Sequence, residues 1–421
     1  MFSFIEVSNQ GLAWLISQTM CLKGETGLTQ AEGIAMRIGV NLYPSVGGSG
    51  YVATRLGQHL ADKGHMIHFI TYQRPFSLMW QQTKGVYVDL VDSFDYPLFN
   101  SIGPPYTMAL TSKIIKVAKT AELDLIHSHY AIPHAMAAYM AREIIGIPYV
   151  VTLHGSDVHT LGQDPAYKPV VQHTVERADA VTAVSQFLTN TAHRDLGIKR
   201  EIHVIPNFID TEKFSGVSGI RLVVESGCVS VRREEDAFEI GPEDKILLHA
   251  SNFRKVKRVV ELVEIMRSIV DKFPNARLVI AGDGPTRIEV ERRIEDLKLC
   301  NNIHLLGVKS NMQEIMCSAD VFLLNSTLEG MPLTLLEAMS CGLPVITTPA
   351  GGIPELVRAD KDGFVTKGFE KEEFVDAILY FLNNDDERKK FGKAGRQRVV
   401  DFDSKKIVPM YEKVFAEVIE H

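Results

Sequence analysis

The sequence has few cysteines and no long uncharged apolar run, and both absences limit the kind of protein it encodes. Its 421 residues include five cysteines, an odd number, scattered along the chain with no C-x-x-C pair. This usage argues against a disulfide framework and against a structural zinc site, and it is typical of the reducing cytoplasm. No window reaches the roughly 18 apolar residues that a spanning helix needs. We therefore expect a cytoplasmic protein without stable membrane insertion.

Basic blocks are also missing. Lys and Arg number 45 against 52 Asp and Glu, which gives a net charge of −7. A nucleic-acid reader or a polybasic membrane binder is disfavoured, whereas small or acidic ligands stay open, and a homo-oligomer is compatible with the sequence. The hydrophobic content of 45% is ample for packed cores, and the length predicts two or three domains.

From Met36 onward, apolar segments of strand length alternate with amphipathic helical segments. Strands that are apolar throughout and separated by helices predict parallel sheets covered on both faces. The pattern lapses between about 213 and 243 and then resumes, so the sequence predicts two doubly wound α/β domains. Ligands of such sheets bind at the carboxyl ends of the strands, and two domains facing each other would share one central cleft. The predicted strands are 38–42, 67–71, 125–128, 149–153, 181–184, 202–205, 245–250, 277–281, 304–306, 321–324 and 345–347, and the predicted helices include 50–63, 109–119 and 132–145.

The domain limits follow from the same pattern. Residues 1–35 are expected to be a disordered N-terminal extension outside the fold. The first domain is predicted at 36–210, a linker at 211–243 and the second domain at 244–403. A last helix, from about Ser404 to Glu420 with Asp403 as its cap, is expected to complete the first domain.

A glycine-rich loop, Pro44-Ser45-Val46-Gly47-Gly48-Ser49-Gly50, lies between the first strand and its helix. Glycines there let a ligand approach backbone N–H groups at a helix start, so an anion site is predicted. The stretch from Gly48 to Ala53 also matches the G-x-G-x-x-A fingerprint of nicotinamide-dependent oxidoreductases. That fingerprint needs an acidic residue after the second strand, where this chain has Thr71-Tyr72-Gln73-Arg74, and the oxidoreductase reading is therefore disfavoured.

Three further loops follow strands in the second half. The stretch 251–258 places four cations within five positions, which favours a phosphate clamp over ordinary surface charge. Gly282-Asp283-Gly284-Pro285 is a turn by composition. The most specific element is Glu329-Gly330-Met331-Pro332-Leu333-Thr334-Leu335-Leu336-Glu337, two carboxylates around the start of a helix whose first N–H groups stay free for a ligand.

Three places in the sequence could suggest a metal site. His127, His129 and His134 cluster near one strand end, but their spacing fits no common zinc motif. The D-x-D pairs at 360–362 and 401–403 are interpreted as a turn and a helix cap. No metal site is predicted.

This constellation resembles the retaining glycosyltransferases of the GT-B fold, which have two Rossmann-like domains facing a central cleft. It is similar to the branch that transfers GlcNAc from UDP-GlcNAc to L-malate in bacillithiol biosynthesis. The resemblance runs from about Met36 to the C-terminus and rests on the paired glutamates and on residues 43–50, 104–106, 129–134, 153–157, 207–210 and 252–258.

The resemblance implies a role for each of these residues. Glu337 would bind the ribose hydroxyls of UDP, Glu329 the sugar hydroxyls, and Arg254 and Lys257 the diphosphate, while His154 would lie near the sugar. Many relatives carry an arginine at the position of Asn252, which makes Arg254 the less secure guanidinium donor. Further donor-side residues are Gly48, Asn207, Asn252, Gly284, Met331, Pro332 and Leu333, and acceptor-side residues are Ser49, Tyr106 and Ser156.

The chemistry implied is metal-independent transfer without a cofactor. A bond between a sugar and a diphosphate breaks through a cationic sugar centre, and fixed cations and helix amides stabilise the departing charge. Three alternatives stay open: the same fold with a lipid or inositol phosphate acceptor, a nucleotide-sugar epimerase, and a non-enzymatic nucleotide-sugar binder.

Overall fold

The computed structural model describes residues 35–45, 47–79, 83–92, 105–214 and 243–420. The expected N-terminal extension, up to residue 34, and most of the expected linker lie outside these ranges, so the domain limits stay predictions. The described residues form two parallel sheets, as the alternating pattern predicts. Within the same ranges, no helix combines the length and the apolar character that crossing a bilayer requires.

The first sheet has the order β3-β2-β1-β4-β5-β6-β7, with every neighbouring pair parallel. Its strands are β1 (Arg37–Asn41), β2 (Met66–Thr71), β3 (Val86–Leu90), β4 (Leu125–His129), β5 (Tyr149–Leu153), β6 (Ala180–Ala183) and β7 (His203–Val204). The helices along this part of the chain are α1 (Ser49–Asp62), α2 (Tyr106–Thr120), α3 (Met136–Ile145), α4 (Ser156–His159), α5 (Lys168–Glu176) and α6 (Gln186–Leu196).

The second sheet has the order β10-β9-β8-β11-β12-β13, again all parallel. Its strands are β8 (Lys245–Ser251), β9 (Ala276–Gly282), β10 (Ile303–Gly307), β11 (Val321–Leu324), β12 (Val345–Thr347) and β13 (Phe364–Val365). The helices are α7 (Val259–Val270), α8 (Arg287–Asp296), α9 (Met312–Cys317), α10 (Leu333–Ser340), α11 (Ile353–Leu356), α12 (Lys371–Asn383), α13 (Asp385–Val399) and α14 (Ser404–Glu420).

The strand order of each sheet reverses direction once, between β1 and β4 and between β8 and β11. Loops that leave the sheet on either side of such a point diverge and leave a crevice at the carboxyl ends of the strands. The glycine loop follows β1, the cationic stretch follows β8, and the paired glutamates follow β11. All three therefore border the places where this fold can admit a ligand.

Two local predictions differ from the structure. The helix expected from Ile132 becomes regular only at Met136, because Ile132 precedes a proline and adopts φ −132° and ψ 141°. Strand β3 was not expected. It lies at the edge of the first sheet and pairs on one side only, so its residues stay half-buried or exposed and lack the apolar signature of the central strands.

The final helix, α14, packs against the first sheet although it follows the second in the chain. Its Glu412 pairs with Lys63 and lies 3.1 Å from Nε2 of His65, and the ring of Phe415 meets the ring of His127. The helix begins after Asp403, whose carboxylate accepts a 2.8 Å hydrogen bond from the Lys405 amide, as its sequence position predicts.

Candidate active site

The glycine loop brings the first turn of α1 to the carboxyl edge of the first sheet. Gly48 caps this helix with φ 63°, a conformation that favours glycine, and a Cβ on Gly50 would lie 2.3 Å from the Tyr43 carbonyl oxygen. Ser49 is the first residue of the helix and is half-buried. No side chain of the described residues caps the helix start, so its first amides are available to an anion.

The cationic stretch after β8 contains residues with different surroundings. Lys257 donates through Nζ to Oε1 of Glu329 at 2.6 Å. Arg258 bonds to the Asn325 side chain, pairs with Glu261 and donates to the Phe369 carbonyl. Arg254 is exposed and forms no ion pair with a described residue. Arg258 therefore has three partners within the fold, Lys257 has one ion-pair partner, and Arg254 has no ion pair with a described residue.

The turn after β9 packs against the backbone of the cationic stretch. A Cβ on Gly284 would lie 2.0 Å from the carbonyl oxygen of Asn252, a distance that no side chain tolerates. The Thr286 hydroxyl donates to the carbonyl of Phe253 at 2.7 Å. Gly284 is thus required for close backbone packing, and Asn252 itself is exposed.

The first of the paired glutamates is held before α10 begins. Glu329 is only 8% exposed, and its Oε1 accepts from the Ser326 hydroxyl at 2.6 Å as well as from Lys257. The same loop is tied to the cationic stretch, because the Thr327 amide donates to the Val256 carbonyl at 2.8 Å. The loops after β8 and β11 therefore form one site, although Val256 and Thr327 are 71 positions apart in the sequence.

The second glutamate, Glu337, lies in α10 and is half-buried. Burial raises its pKa to about 7. Burial and the nearby Glu337 carboxylate together raise the pKa of Tyr51, on α1, to about 12. Tyr51 is thus a site neighbour that sequence reasoning missed, and its place near the start of the first helix was the available signal.

The first half contributes His154, which follows β5. Its Nε2 lies 2.8 Å from Nδ1 of His129, and burial lowers its pKa to about 3. The buried carboxylate of Asp157 accepts from the backbone amides of His154 and Gly155, and these bonds fix the turn in which Ser156 opens α4. Burial raises the pKa of Asp157 to about 6 despite these bonds.

Tyr106, the first residue of α2, lies in an aromatic cluster of the first half that extends to His154 through Tyr43 and Tyr130. Its ring meets Tyr72 and His134 edge-on, and Tyr43 packs against the same histidine. The Tyr106 hydroxyl is buried without a hydrogen-bond partner among the described residues. The other expected acceptor residues, Ser49 and Ser156, are the first residues of α1 and α4.

Three contacts join the two halves at the site. The side-chain amide of Asn207 donates to the Met331 carbonyl at 2.7 Å. Gly330 packs so closely on His154 that an added Cβ would lie 2.4 Å from the His154 carbonyl oxygen. The Glu355 carboxylate accepts from the amides of Gln186 and Phe187, at the start of α6, at 2.8 and 2.7 Å. The loop between the paired glutamates, with Pro332 and Leu333 leading into α10, is therefore held between the halves.

The sequence is similar to known proteins over nearly its whole described length. Two family models match: Glycosyltransferase Family 4 over residues 46–213, and Glycosyl transferases group 1 over residues 231–398. The N-acetyl-alpha-D-glucosaminyl L-malate synthase of Bacillus anthracis is 38% identical over 387 residues, which cover 91% of this chain and 97% of that protein. This chain belongs to the same glycosyltransferase family. It is a hexosyltransferase.

Two solved structures show that the glycosyltransferase has the GT-B fold expected from its sequence. HepE from Anabaena in complex with UDP matches with a TM-score of 0.71 at 19% identity, covering 91% of this chain and 100% of that one. Sucrose-phosphate synthase from Thermosynechococcus elongatus matches with a TM-score of 0.75 at 19% identity, covering 91% and 99%. The two sheets described above are its two Rossmann-like domains.

The D-x-D pairs of this glycosyltransferase have structural partners. Asp362 is fully buried and accepts from the Arg358 amide at 2.6 Å, while Asp360 has φ 58° in the same turn. Asp403 caps α14 and also pairs with the hydroxyl of Thr211. Both pairs thus act as the turn and the cap that their sequences predict.

Proposed function

We propose that this enzyme transfers GlcNAc from UDP-GlcNAc to the hydroxyl of L-malate with retention of configuration, as the first step of bacillithiol biosynthesis in the cytoplasm. The proposal is carried by the 38% identity to the Bacillus anthracis synthase across 91% of the chain. The paired glutamates and the two cations beside them supply the chemistry that a nucleotide-sugar donor requires.

The nucleotide end of the donor would bind to the second half. Glu337 accepts hydrogen bonds from the two ribose hydroxyls, since it is only half-buried and lies near Tyr51 at the start of α1. Arg254 and Lys257 bind the diphosphate from one side, and the amides that follow Gly48 bind it from the other. The diphosphate then lies between two fixed cations and one helix start, where negative charge is most stabilised.

The sugar would lie between Glu329 and His154, against the backbone of Met331 to Leu333. An ammonium group has three donors, so Lys257 can keep its 2.6 Å bond to Glu329 and still donate to a phosphate oxygen. The pair thereby links sugar recognition to leaving-group stabilisation. Asn207 supports this arrangement from the first half, because its side-chain amide binds the Met331 carbonyl and so fixes the backbone proposed to contact the sugar.

The acceptor would bind to the first half. L-malate is a small dianion with one secondary hydroxyl, and its carboxylates need fixed donors. Tyr106 offers a buried hydroxyl without a hydrogen-bond partner in the described part of the chain, and Ser49 and Ser156 open helices that follow strands of the same sheet. Malate would orient its own hydroxyl toward the anomeric carbon through these donors.

Transfer would proceed on the face from which UDP departs. As the bond between the anomeric carbon and the diphosphate oxygen breaks, the sugar becomes cationic and the diphosphate gains charge, which Arg254 and Lys257 neutralise. The malate hydroxyl attacks the same face and passes its proton to the departing phosphate oxygen. Retention then requires no protein nucleophile, and the cations can replace a metal ion.

The test is a product assay with purified protein, UDP-GlcNAc and a panel of hydroxy acids, sugars, inositol phosphates and lipid alcohols. We expect N-acetylglucosaminyl malate by mass spectrometry, with an α-anomeric proton by NMR. Product with another acceptor but not with malate would refute the acceptor assignment. A rearranged nucleotide sugar formed from donor alone would show an epimerase, and UDP binding without any turnover would show a non-enzymatic binder.

A further inference from the structure

A buried histidine, His129, and a half-buried one, His154, share one hydrogen bond beside the proposed sugar site. His129 is the last residue of β4, and His154 follows β5, its parallel neighbour. Nδ1 of His129 lies 2.8 Å from Nε2 of His154, and the rings stack at 24° with centroids 5.1 Å apart. One proton lies between the two nitrogens. The nitrogen to which it is bonded determines the tautomer of His154 and therefore whether its Nδ1 is a donor or an acceptor.

Both imidazoles are neutral. His129 is fully buried, and burial together with the neighbouring imidazoles of His127 and His154 lowers its pKa well below the usual range. Burial likewise lowers the pKa of His154 to about 3. Since a neutral imidazole carries one N–H, each ring has one donor and one acceptor, and the pair has two alternative arrangements.

The surroundings of His129 distinguish these arrangements. Its other nitrogen, Nε2, is buried and has no hydrogen-bond partner among the described residues. If His154 donated, the proton of His129 would have to be on Nε2, as a buried N–H without an acceptor. If His129 donates through Nδ1, only a lone pair is left without a partner. Orphaned buried N–H groups are the rarer case in proteins, so the second arrangement is favoured.

We propose that His129 is a positioning residue that fixes His154 in the tautomer protonated at Nδ1, so that His154 donates a hydrogen bond into the cleft and cannot act as a base. This inference rests on the proposed function, which places the sugar beside His154. Nδ1 of His154 makes no hydrogen bond with a described residue, and it can therefore donate to a sugar hydroxyl or a phosphate oxygen.

The main chain around His154 supports the same assignment. The Asp157 carboxylate, the one acidic group in this turn, accepts from the backbone amides of His154 and Gly155 rather than from the imidazole. The ring therefore lacks the carboxylate partner that would stabilise an imidazolium. A donor that does not take up the acceptor's proton fits a transfer in which that proton goes to the departing diphosphate.

The tautomer can be observed directly in the full-length protein without ligand. Histidine labelled with ¹⁵N gives well-separated signals for protonated and bare ring nitrogens, and His154→Asn identifies the His154 pair. We expect a protonated Nδ1 and a bare Nε2 at neutral pH. A protonated Nε2 on His154 would overturn the proposal, whatever the enzyme turns out to transfer.

Kinetics of three variants separate positioning from packing. His129→Asn places an amide N–H near the position of Nδ1, and we expect it to retain kcat within about threefold, whereas His129→Leu lowers kcat about tenfold or more with little change in KM for UDP-GlcNAc. His127→Asn is the matched control, because His127 is equally buried and its ring packs against His129 but bonds to Thr152 rather than to His154. It should leave the His154 signals unchanged.

Equal rates in His129→Asn and His129→Leu would contradict the proposal. Thermal unfolding of all three variants shows whether a lost rate reflects lost structure, and if His129→Leu does not fold, the wild-type ¹⁵N spectrum still decides. Failure of the proposed function would look different: the wild type would form no malate product, while the tautomer of His154 would be read as before.

Discussion

A methyl group added at Gly330 would collide with the other half of the molecule. Built on this backbone, the Cβ lies 2.4 Å from the carbonyl oxygen of His154 and 3.3 Å from a methyl group of Val184. Ordinary van der Waals contact begins at 3.4 Å. The clash is with backbone, which cannot rotate away as a side chain can, so the loop between the paired glutamates must move by about 1 Å relative to His154.

A displacement of this size is large for catalysis. Misplacing reacting groups by about 1 Å can cost on the order of 100-fold in rate, and Gly330→Ala separates the two surfaces proposed to hold the sugar. We therefore expect kcat for UDP-GlcNAc and malate to fall about 100-fold, while UDP affinity changes little because Glu337 and Arg254 are not displaced. Initial rates and UDP titration calorimetry measure the two quantities separately.

The matched control is Gly368→Ala, at a glycine of the same half where an added Cβ meets nothing within 4 Å. It should leave both quantities unchanged. If Gly330→Ala kept kcat within about twofold of the wild type, contact between this loop and His154 would not position the sugar, and the reasoning would be wrong.

Three other outcomes are expected. Since burial raises the pKa of Glu337 to about 7, lowering the pH from about 8 to about 6 protonates the ribose-binding carboxylate, and KM for UDP-GlcNAc should rise by up to about tenfold per pH unit below the pKa. Glu337→Gln should show a high KM that no longer changes with pH. A wild-type KM that does not change with pH would remove Glu337 from the site. Tyr106→Phe should raise KM for malate about tenfold with KM for UDP-GlcNAc nearly constant, because one donor to a carboxylate is lost; equal effects on both constants would place Tyr106 elsewhere. Turnover should survive EDTA, and activity that disappeared on chelation and returned with Mn²⁺ or Mg²⁺ would show that the cations alone do not neutralise the diphosphate.

Parts of the fold and the site could be predicted from the sequence because they depend on short-range pattern. The parallel sheets follow from apolar strands alternating with helices, and the strand-end loops follow from the same order. Glu329 and Lys257 were each singled out in this way. Their 2.6 Å ion pair could not be predicted, because it depends on β8 and β11 being neighbours in the sheet. The order of strands in a sheet cannot be derived from the pattern of apolar segments along the chain.

The partners of His154 were missed for a related reason. In the sequence, His129 stands out only as one of three histidines near a strand end. Its hydrogen bond to His154 depends on the register between β4 and β5. Glu355 gave no signal at all. A carboxylate that accepts from a helix start in the other half looks like ordinary surface charge in the sequence.

The contacts between the halves have a consequence for engineering this enzyme. Gly330, Met331 and Glu355 all belong to the half proposed to bind the nucleotide sugar. Gly330 and Glu355 each fit a backbone group of the other half, and the Met331 carbonyl accepts from the Asn207 side chain. A chimera that joins the second half of a relative to this first half would gain the relative's donor contacts. It would lose the contacts between the halves that involve Gly330, Met331 and Glu355. Donor preference is therefore better exchanged together with residues 154–155, 184–187 and 207 than by swapping one half alone.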